Sequence, residues 1–132
     1  MIPASKKSRA RNYLIKELDF LARQRCFERD DWNCVRCKSS NNIQWAHIVS
    51  RRHLSLRWDL DNNLTLCGGC HLFWHGEPLE AVKWFERTWP GRHEHLLVAS
   101  SIKVKVDLKH LLEGMKYERG TCKATSPTLA SD

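Results

Sequence analysis

Between Asn12 and Phe27 apolar residues recur at helical spacing: Leu14, Leu18 and Leu21, with Ile15, Ala22 and Cys26 beside them and charges on the other face. The pattern predicts an amphipathic helix whose first task is packing; part of that face can equally meet a second copy of the chain. Ile43 to Ile48 alternates instead, which predicts a short strand with Ile43, Trp45 and His47 on one face and Gln44, Ala46 and Ile48 on the other. Val49 to Asp61 reads as a polar, arginine-bearing loop, and Asn62 to Leu66 as a second short strand. A helix is expected from near Gly69 and places His71 and His75 on one face, with Gly76 as its cap. Glu77-Pro78 opens another helix, which runs through Leu79, Val82, Phe85 and Trp89 until Pro90-Gly91 stops it. In Ala99 to Val106 the alternation of Ile102, Val104 and Val106 with Lys103 and Lys105 allows an edge strand. Asp107 can cap a last helix bearing Leu108, Leu111, Leu112 and Met115. The expected class is α+β, mainly helical. Residues 1–10 read as a basic flexible arm, 11–119 as a single domain and 120–132 as a flexible tail.

Length changes this picture little, since 132 residues suffice for one modest core. Charge changes it more. A net charge of +7 suits a polyanionic partner, most simply nucleic acid, and on charge alone it suits a merely soluble basic protein about as well. No apolar run is long enough to span a bilayer, so no membrane partner is expected. The first residues lack the apolar stretch of a secretory signal, so the expected location is the cytoplasm.

Six cysteines could mean disulfides, but the spacing points elsewhere. Cys34-x2-Cys37 and Cys67-x2-Cys70 form two knuckles, the pattern of a four-thiolate structural zinc site. A thioredoxin-like redox pair would need one such motif and gives no reason for two. Cys26 falls on the helical apolar face as a core residue, and Cys122 falls in the tail as a free thiol.

A second constellation lies against the knuckles. Phosphodiester hydrolysis needs a deprotonated water in line with the leaving oxygen and a cation on the scissile phosphate. His47, on a strand, can be the base, because the unperturbed imidazole pKa lies near working pH. Asn62 can hold or position the carbonyl that orients such a base, or simply cap the turn into its strand. His71 and His75, one helical turn apart, can hold a divalent cation facing His47; His75 can also be an ordinary surface histidine. Arg51, Arg52 and Arg57 come from the intervening loop and suit bidentate phosphate contact. Lys6, Lys7 and Arg9 can add phosphate contacts from the N-terminal arm, and Lys103, Lys105, Lys109 and Lys116 can add to a DNA-facing surface or form an ordinary charged face. Trp45 and Trp58 read as core aromatics, and His53 as a phosphate contact or a solvated side chain.

Two short strands and a helix pinned by zinc make a treble-clef-like ββα-metal arrangement, and its residues resemble the HNH endonuclease family. The resemblance rests on Ala46-His47-Ile48, on Asp61-Asn62-Asn63-Leu64, on His71 after Leu66-Cys67-Gly68-Gly69-Cys70, and on the lead-in Cys26 to Cys34, so that residues 26–76 form the core. A looser similarity, through Leu56-Arg57-Trp58-Asp59-Leu60-Asp61-Asn62, is to phage recombination endonucleases of the NinG (Rap) type, which act on branched intermediates such as Holliday junctions. The resemblance implies a metal-dependent DNA endonuclease that leaves 5′-phosphate and 3′-hydroxyl ends. It implies catalytic roles for His47, Asn62 and His71 and, by similarity to colicin-type members, His71 and His75 as ligands of Mg²⁺ or Mn²⁺. The setting would be phage DNA recombination in the host cytoplasm, on branched DNA, with a homodimer suited to two symmetric cuts. The rivals are a homing or restriction-type nuclease and a non-catalytic zinc DNA-binding protein. One departure matters: most HNH nucleases carry a metal ligand immediately before the base, where this chain has Ala46. Either Asp59 or Asp61 swings in from the loop as a further ligand, or the site rests on two imidazoles and is expected to hold Mg²⁺ weakly and to prefer Mn²⁺ or another transition metal.

Overall fold

In the computed structural model the described residues are 2–129, the side chains of 119–129 excepted. The side chain of Cys122 and residues 130–132 of the expected tail therefore lie outside what is described. The elements run α1 (Lys6–Arg29), β1 (Ile43–His47), α2 (Leu54–Arg57), a 3₁₀ turn (Leu60–Asn62), β2 (Asn63–Cys67), α3 (Gly68–Gly76), α4 (Pro78–Thr88), α5 (Arg92–Ser101) and α6 (Leu108–Leu129). The chain divides into two compact units, one of Met1–Leu21 with Val106–Asp132 and one of Ala22–Lys105.

In the first unit Leu18 and Leu21 of α1 and Leu108, Leu112 and Met115 of α6 are buried. The helix begins at Lys6, so Lys6, Lys7 and Arg9 stand on its first turns, not in an unstructured arm. The Ser5 hydroxyl accepts from the Ser8 amide at 3.1 Å and caps an otherwise orphan donor. Asp107 caps α6 in the same way, accepting from the His110 amide at 3.1 Å. The backbone of α6 stays helical to Leu129, past the residue where the sequence reads as a tail.

The second unit holds the sheet. β1 and β2 pair antiparallel, with Gln44 opposite Leu66, Ala46 opposite Leu64 and His47 opposite Asn63. Strand alternation then gives the sheet two unlike faces. Ala46, Leu64 and Leu66 turn toward α3 and join Cys70, Trp74, Ala81, Phe85, Leu96 and Leu56 in one buried cluster. Trp74, Trp84, Phe85 and Trp89 meet edge-on or tilted, with ring centroids 5.1–6.4 Å apart. On the opposite face Thr65 meets the C-terminal end of α1: its hydroxyl lies 3.4 Å from the Cys26 carbonyl. The outer edge of β2 is also satisfied, because Val35 N–H donates to the Thr65 carbonyl at 2.9 Å and the Thr65 amide donates to Asp30 Oδ2 at 3.2 Å.

Two further expectations change. The loop after β1 contains the single helical turn α2. Residues 99–101 continue α5, and no strand forms at 102–106 among the described residues; Ile102 and Val104 are 57% and 59% exposed. Alternation alone does not make a strand without an edge to pair with.

Candidate functional site

The first site is the thiol cluster. Cys34 and Cys37 sit on a tight loop in which Lys38 takes a left-handed backbone conformation (φ 69°) and its amide closes back on the Cys34 carbonyl at 2.9 Å. Cys67 ends β2 and caps α3, accepting from the Cys70 amide at 3.4 Å, and Cys34 likewise accepts from the Cys37 amide at 3.4 Å. The four sulfur atoms all lie within 4.8 Å of one another, and Cys37 Sγ and Cys67 Sγ are 3.5 Å apart. Four thiolates around a tetrahedral zinc stand about 3.8 Å apart, given Zn–S bonds near 2.3 Å. The group can therefore hold a metal ion such as zinc.

Electrostatics points the same way. Burial opposes ionisation of Cys34, yet the amides of Cys37, Cys67 and Arg36 draw its thiol down to about 6. Burial, together with the neighbouring sulfurs, pushes Cys70 up to about 12, against the pull of Arg36. Four crowded sulfurs cannot all ionise without a cation to balance them. Arg36 braces the cluster: its Nη1 lies 3.4 Å from Cys70 Sγ and its guanidinium stacks 3.8 Å over the Phe73 ring. Cys26, by contrast, is fully buried and its thiol is raised to about 11 by burial, as a core residue should be.

The second site is a histidine pair on α3. His71 Nε2 and His75 Nε2 are 3.1 Å apart. Two imidazole nitrogens about 2.0–2.1 Å from one ion, at that separation, subtend about 100° at it, between the octahedral and tetrahedral values. Gln44 reaches the pair from β1, with Oε1 at 2.7 Å from His71 Nδ1. The three side chains line an open cleft of about 460 Å³ with Asn42, Gly68 and Gly69. Burial first, and then the neighbouring His75, lowers the His71 pKa, which favours the neutral, ligating ring.

The third site is His47, and it faces the other way. Its number differs from that of Gln44 by an odd interval, so its side chain leaves the sheet on the opposite face. There its ring lies 4.3 Å from that of Trp45, and its Nε2 is 3.0 Å from the Arg57 carbonyl oxygen. A carbonyl can only accept, so Nε2 carries the proton and the lone pair of the neutral ring sits on Nδ1. The Asn63 side chain donates from Nδ2 to the same carbonyl at 3.2 Å.

Asn62 does not hydrogen-bond the His47 ring. It is fully buried and spends its amide on the loop: Oδ1 accepts from the Val49 amide at 2.7 Å, and Nδ2 donates to the carbonyls of Val49 and Leu56, each at 3.0 Å. It thereby holds the peptide next to the Arg57 carbonyl that orients His47. Arg51 and Arg52 are exposed on the turn before α2, while Arg57 is half-buried, 5.6 Å over the Trp58 ring. Trp58 is buried, and Trp45 is half-buried.

The constellation read from the sequence is thus divided. His71 and His75 come together with Gln44 on the α3 face, and His47 stands on the other. Among the described residues the one group of three or more candidate metal ligands is the four cysteines, so neither His47 nor Asp59 nor Asp61 completes the histidine pair. Position 46 lies on the α3 face, where a third donor would stand, and is a buried alanine.

The sequence reading missed Gln44, although its place on the Ala46 face follows from the alternation. It also missed a clamp on the turn before β2. Arg29 donates to the carbonyls of Leu60 and Asn63 at 2.6 and 2.7 Å, and Arg92 donates to the Asp61 and Leu60 carbonyls at 2.7 and 3.2 Å. No helix among the described residues is long and apolar enough to cross a membrane. The chain matches no protein-family model, no curated protein and no solved structure.

Proposed function

We propose that the chain is a metal-dependent DNA endonuclease of the HNH type, built on a ββα core whose four cysteines hold structural zinc. The observation that carries this reading is the contact between His47 Nε2 and the Arg57 carbonyl. It presents Nδ1 as the basic nitrogen, which is what a general base for water needs. His47 takes a proton from the attacking water, the water oxygen bonds to phosphorus, and the 3′-oxygen leaves, giving 5′-phosphate and 3′-hydroxyl ends. Asn62 acts on this step at a distance, by fixing the loop that bears the carbonyl. His71 and His75 would hold the divalent cation, whose chemistry is to draw charge from the scissile phosphate. With two imidazoles and no carboxylate, Mn²⁺ suits the pair better than Mg²⁺.

The DNA surface in this reading includes Arg51 and Arg52. It also takes in a groove of about 510 Å³ lined by His53, Ser55, Ser100, Lys103 and Lys105, one turn of α2 from the Arg57 carbonyl. Branched DNA in phage recombination is the first substrate to try, with a homodimer for paired cuts.

A second reading, a zinc protein that binds DNA without cutting it, has its own support. The sheet lies between His47 and the His71–His75 pair, and Ala46 offers no third ligand.

One assay separates the two. Linear, nicked, flap and four-way junction DNA are incubated with the protein and Mg²⁺ or Mn²⁺, alongside His47→Ala. Cleavage that His47→Ala abolishes is the expected result. No cleavage of any substrate would leave the second reading standing. Cleavage that survives the substitution would remove His47 as the base, and a single cut in linear duplex would favour a sequence-directed nuclease.

A further inference from the structure

A histidine binds a metal ion through a ring nitrogen that has no proton, so some neighbour must decide which nitrogen that is. For His71 the neighbour is Gln44. Its Oε1 lies 2.7 Å from His71 Nδ1 and, as an acceptor, requires the proton there. The lone pair is then left on Nε2, the atom that faces His75 Nε2 at 3.1 Å. We propose that Gln44 is a positioning residue for the His71–His75 metal site, setting both the tautomer and the aim of His71; this rests on the metal-binding role given to that pair above.

The direction of the Gln44 amide has support of its own. Reversed, it would donate to Nδ1 and leave the proton on Nε2, which would block ligation. Asn42 opposes that reversal, because its Oδ1 lies 3.4 Å from Gln44 Nε2, a long contact but one that only the donor end of the Gln44 amide can satisfy. Asn42 is anchored in turn, its carbonyl accepting from the Gly68 amide at 3.0 Å. A side chain at Gly68 would collide with the Asn42 amide, so glycine is what allows the approach. The relay runs from the start of α3 through β1 and back to α3, and it ends on the two ring nitrogens that face each other.

A carboxylate at position 44 accepts from Nδ1–H at least as well as an amide and cannot be reversed, whereas an aliphatic side chain of similar size accepts nothing. The experiment is a calorimetric titration of the zinc-loaded protein with Mn²⁺, a metal that competes poorly for thiolates. Wild type, Gln44→Leu, Gln44→Glu and His75→Ala are compared, with zinc content and circular dichroism showing that each is folded. Wild type is expected to bind Mn²⁺ and His75→Ala to lose it. Gln44→Leu should weaken it roughly 10- to 100-fold, and Gln44→Glu should bind at least as tightly as wild type. Leucine binding as well as glutamine, or glutamate binding as poorly as leucine, would overturn the proposal while leaving the metal pair intact. A wild type that binds no Mn²⁺ would overturn both. The ¹⁵N shifts of His71 in Mn²⁺-free wild type give a reading that does not depend on any variant folding: protonated Nδ1 is expected, and protonated Nε2 in its place would refute the positioning role.

Discussion

His47 Nε2 meets the carbonyl oxygen of Arg57 at 3.0 Å, across ten residues of chain, and that carbonyl stays in place because Asn62 ties down the peptide beside it. Asn62 is as buried as any residue in the unit, and its side chain bonds backbone atoms of the loop between the strands. Replacing it with alanine takes these partners from the Val49 amide and carbonyl, while the Leu56 carbonyl keeps the Asp59 amide at 3.1 Å.

Asn62→Ala is therefore expected to lower stability by about 3 kcal/mol, toward the upper end for a single substitution. The urea midpoint measures this. An unchanged midpoint would mean that other contacts hold the loop and that Asn62 has no positioning role.

The thiol cluster makes a sharper prediction. Cys34 and Cys70 are buried and belong to different knuckles, so losing either breaks the link between the first loop and α3. Cys34→Ser and Cys70→Ser should each release the metal and abolish cooperative thermal unfolding, since structural zinc contributes folding energy directly. A serine variant that keeps a full complement of zinc and a sharp transition would show that the four-thiolate site is wrong.

Local spacing made much of this legible. Two Cys-x2-Cys motifs fix where the knuckles fall, and alternation in residues 43–48 correctly separates Gln44 from His47. What alternation could not tell was where α3 would lie, and so which face would hold the metal pair. The hydrogen bond from Gln44 to His71 spans 27 residues and depends on β1, β2 and α3 being assembled. The Arg92 clamp, 31 residues from Asp61, leaves no periodic trace either. The N-terminal helix is hidden for a different reason: its charges read as an arm, while lysine and arginine are good helix formers and Ser5 supplies a cap that the sequence does contain.

Acid should unfold the second unit in part through Asp30. Burial acts to raise its pKa, but the Arg29 guanidinium and the Thr65 hydrogen bonds outweigh that and bring it below the ordinary 3.8. Arg29 holds both carboxylate oxygens at 2.9 Å. A depressed folded-state pKa means that the stabilisation is fully present above the unfolded-state value and is lost as pH falls through the folded-state value. Asp30→Asn should cost about 2 kcal/mol at pH 7, with the gap to wild type closing below pH of about 4. Urea melts across this range test it, and a gap that stays constant to the lowest pH would show that ionisation of Asp30 is not the cause.

The DNA surface can be mapped without any cleavage, using the His47→Ala protein and a fixed duplex or junction. Each phosphate neutralised contributes about 0.9 to the slope of log K against log salt, so a double neutralisation at true contacts should flatten the slope by about 2 and weaken binding on every sequence alike. Arg51→Gln/Arg52→Gln tests the loop, Lys103→Gln/Lys105→Gln the groove beside His53, and Lys6→Gln/Lys7→Gln the first turn of α1. All six side chains are exposed, so their loss should leave the fold intact. The loop and groove pairs are expected to show the full change, because they flank the backbone turn that presents the Arg57 carbonyl. Lys6 and Lys7 are expected to contribute as well, now from a helix that fixes their spacing. A slope unaltered in Lys6→Gln/Lys7→Gln would remove the first turn of α1 from the contact surface, and a slope unaltered in all three variants would place the DNA on some other face.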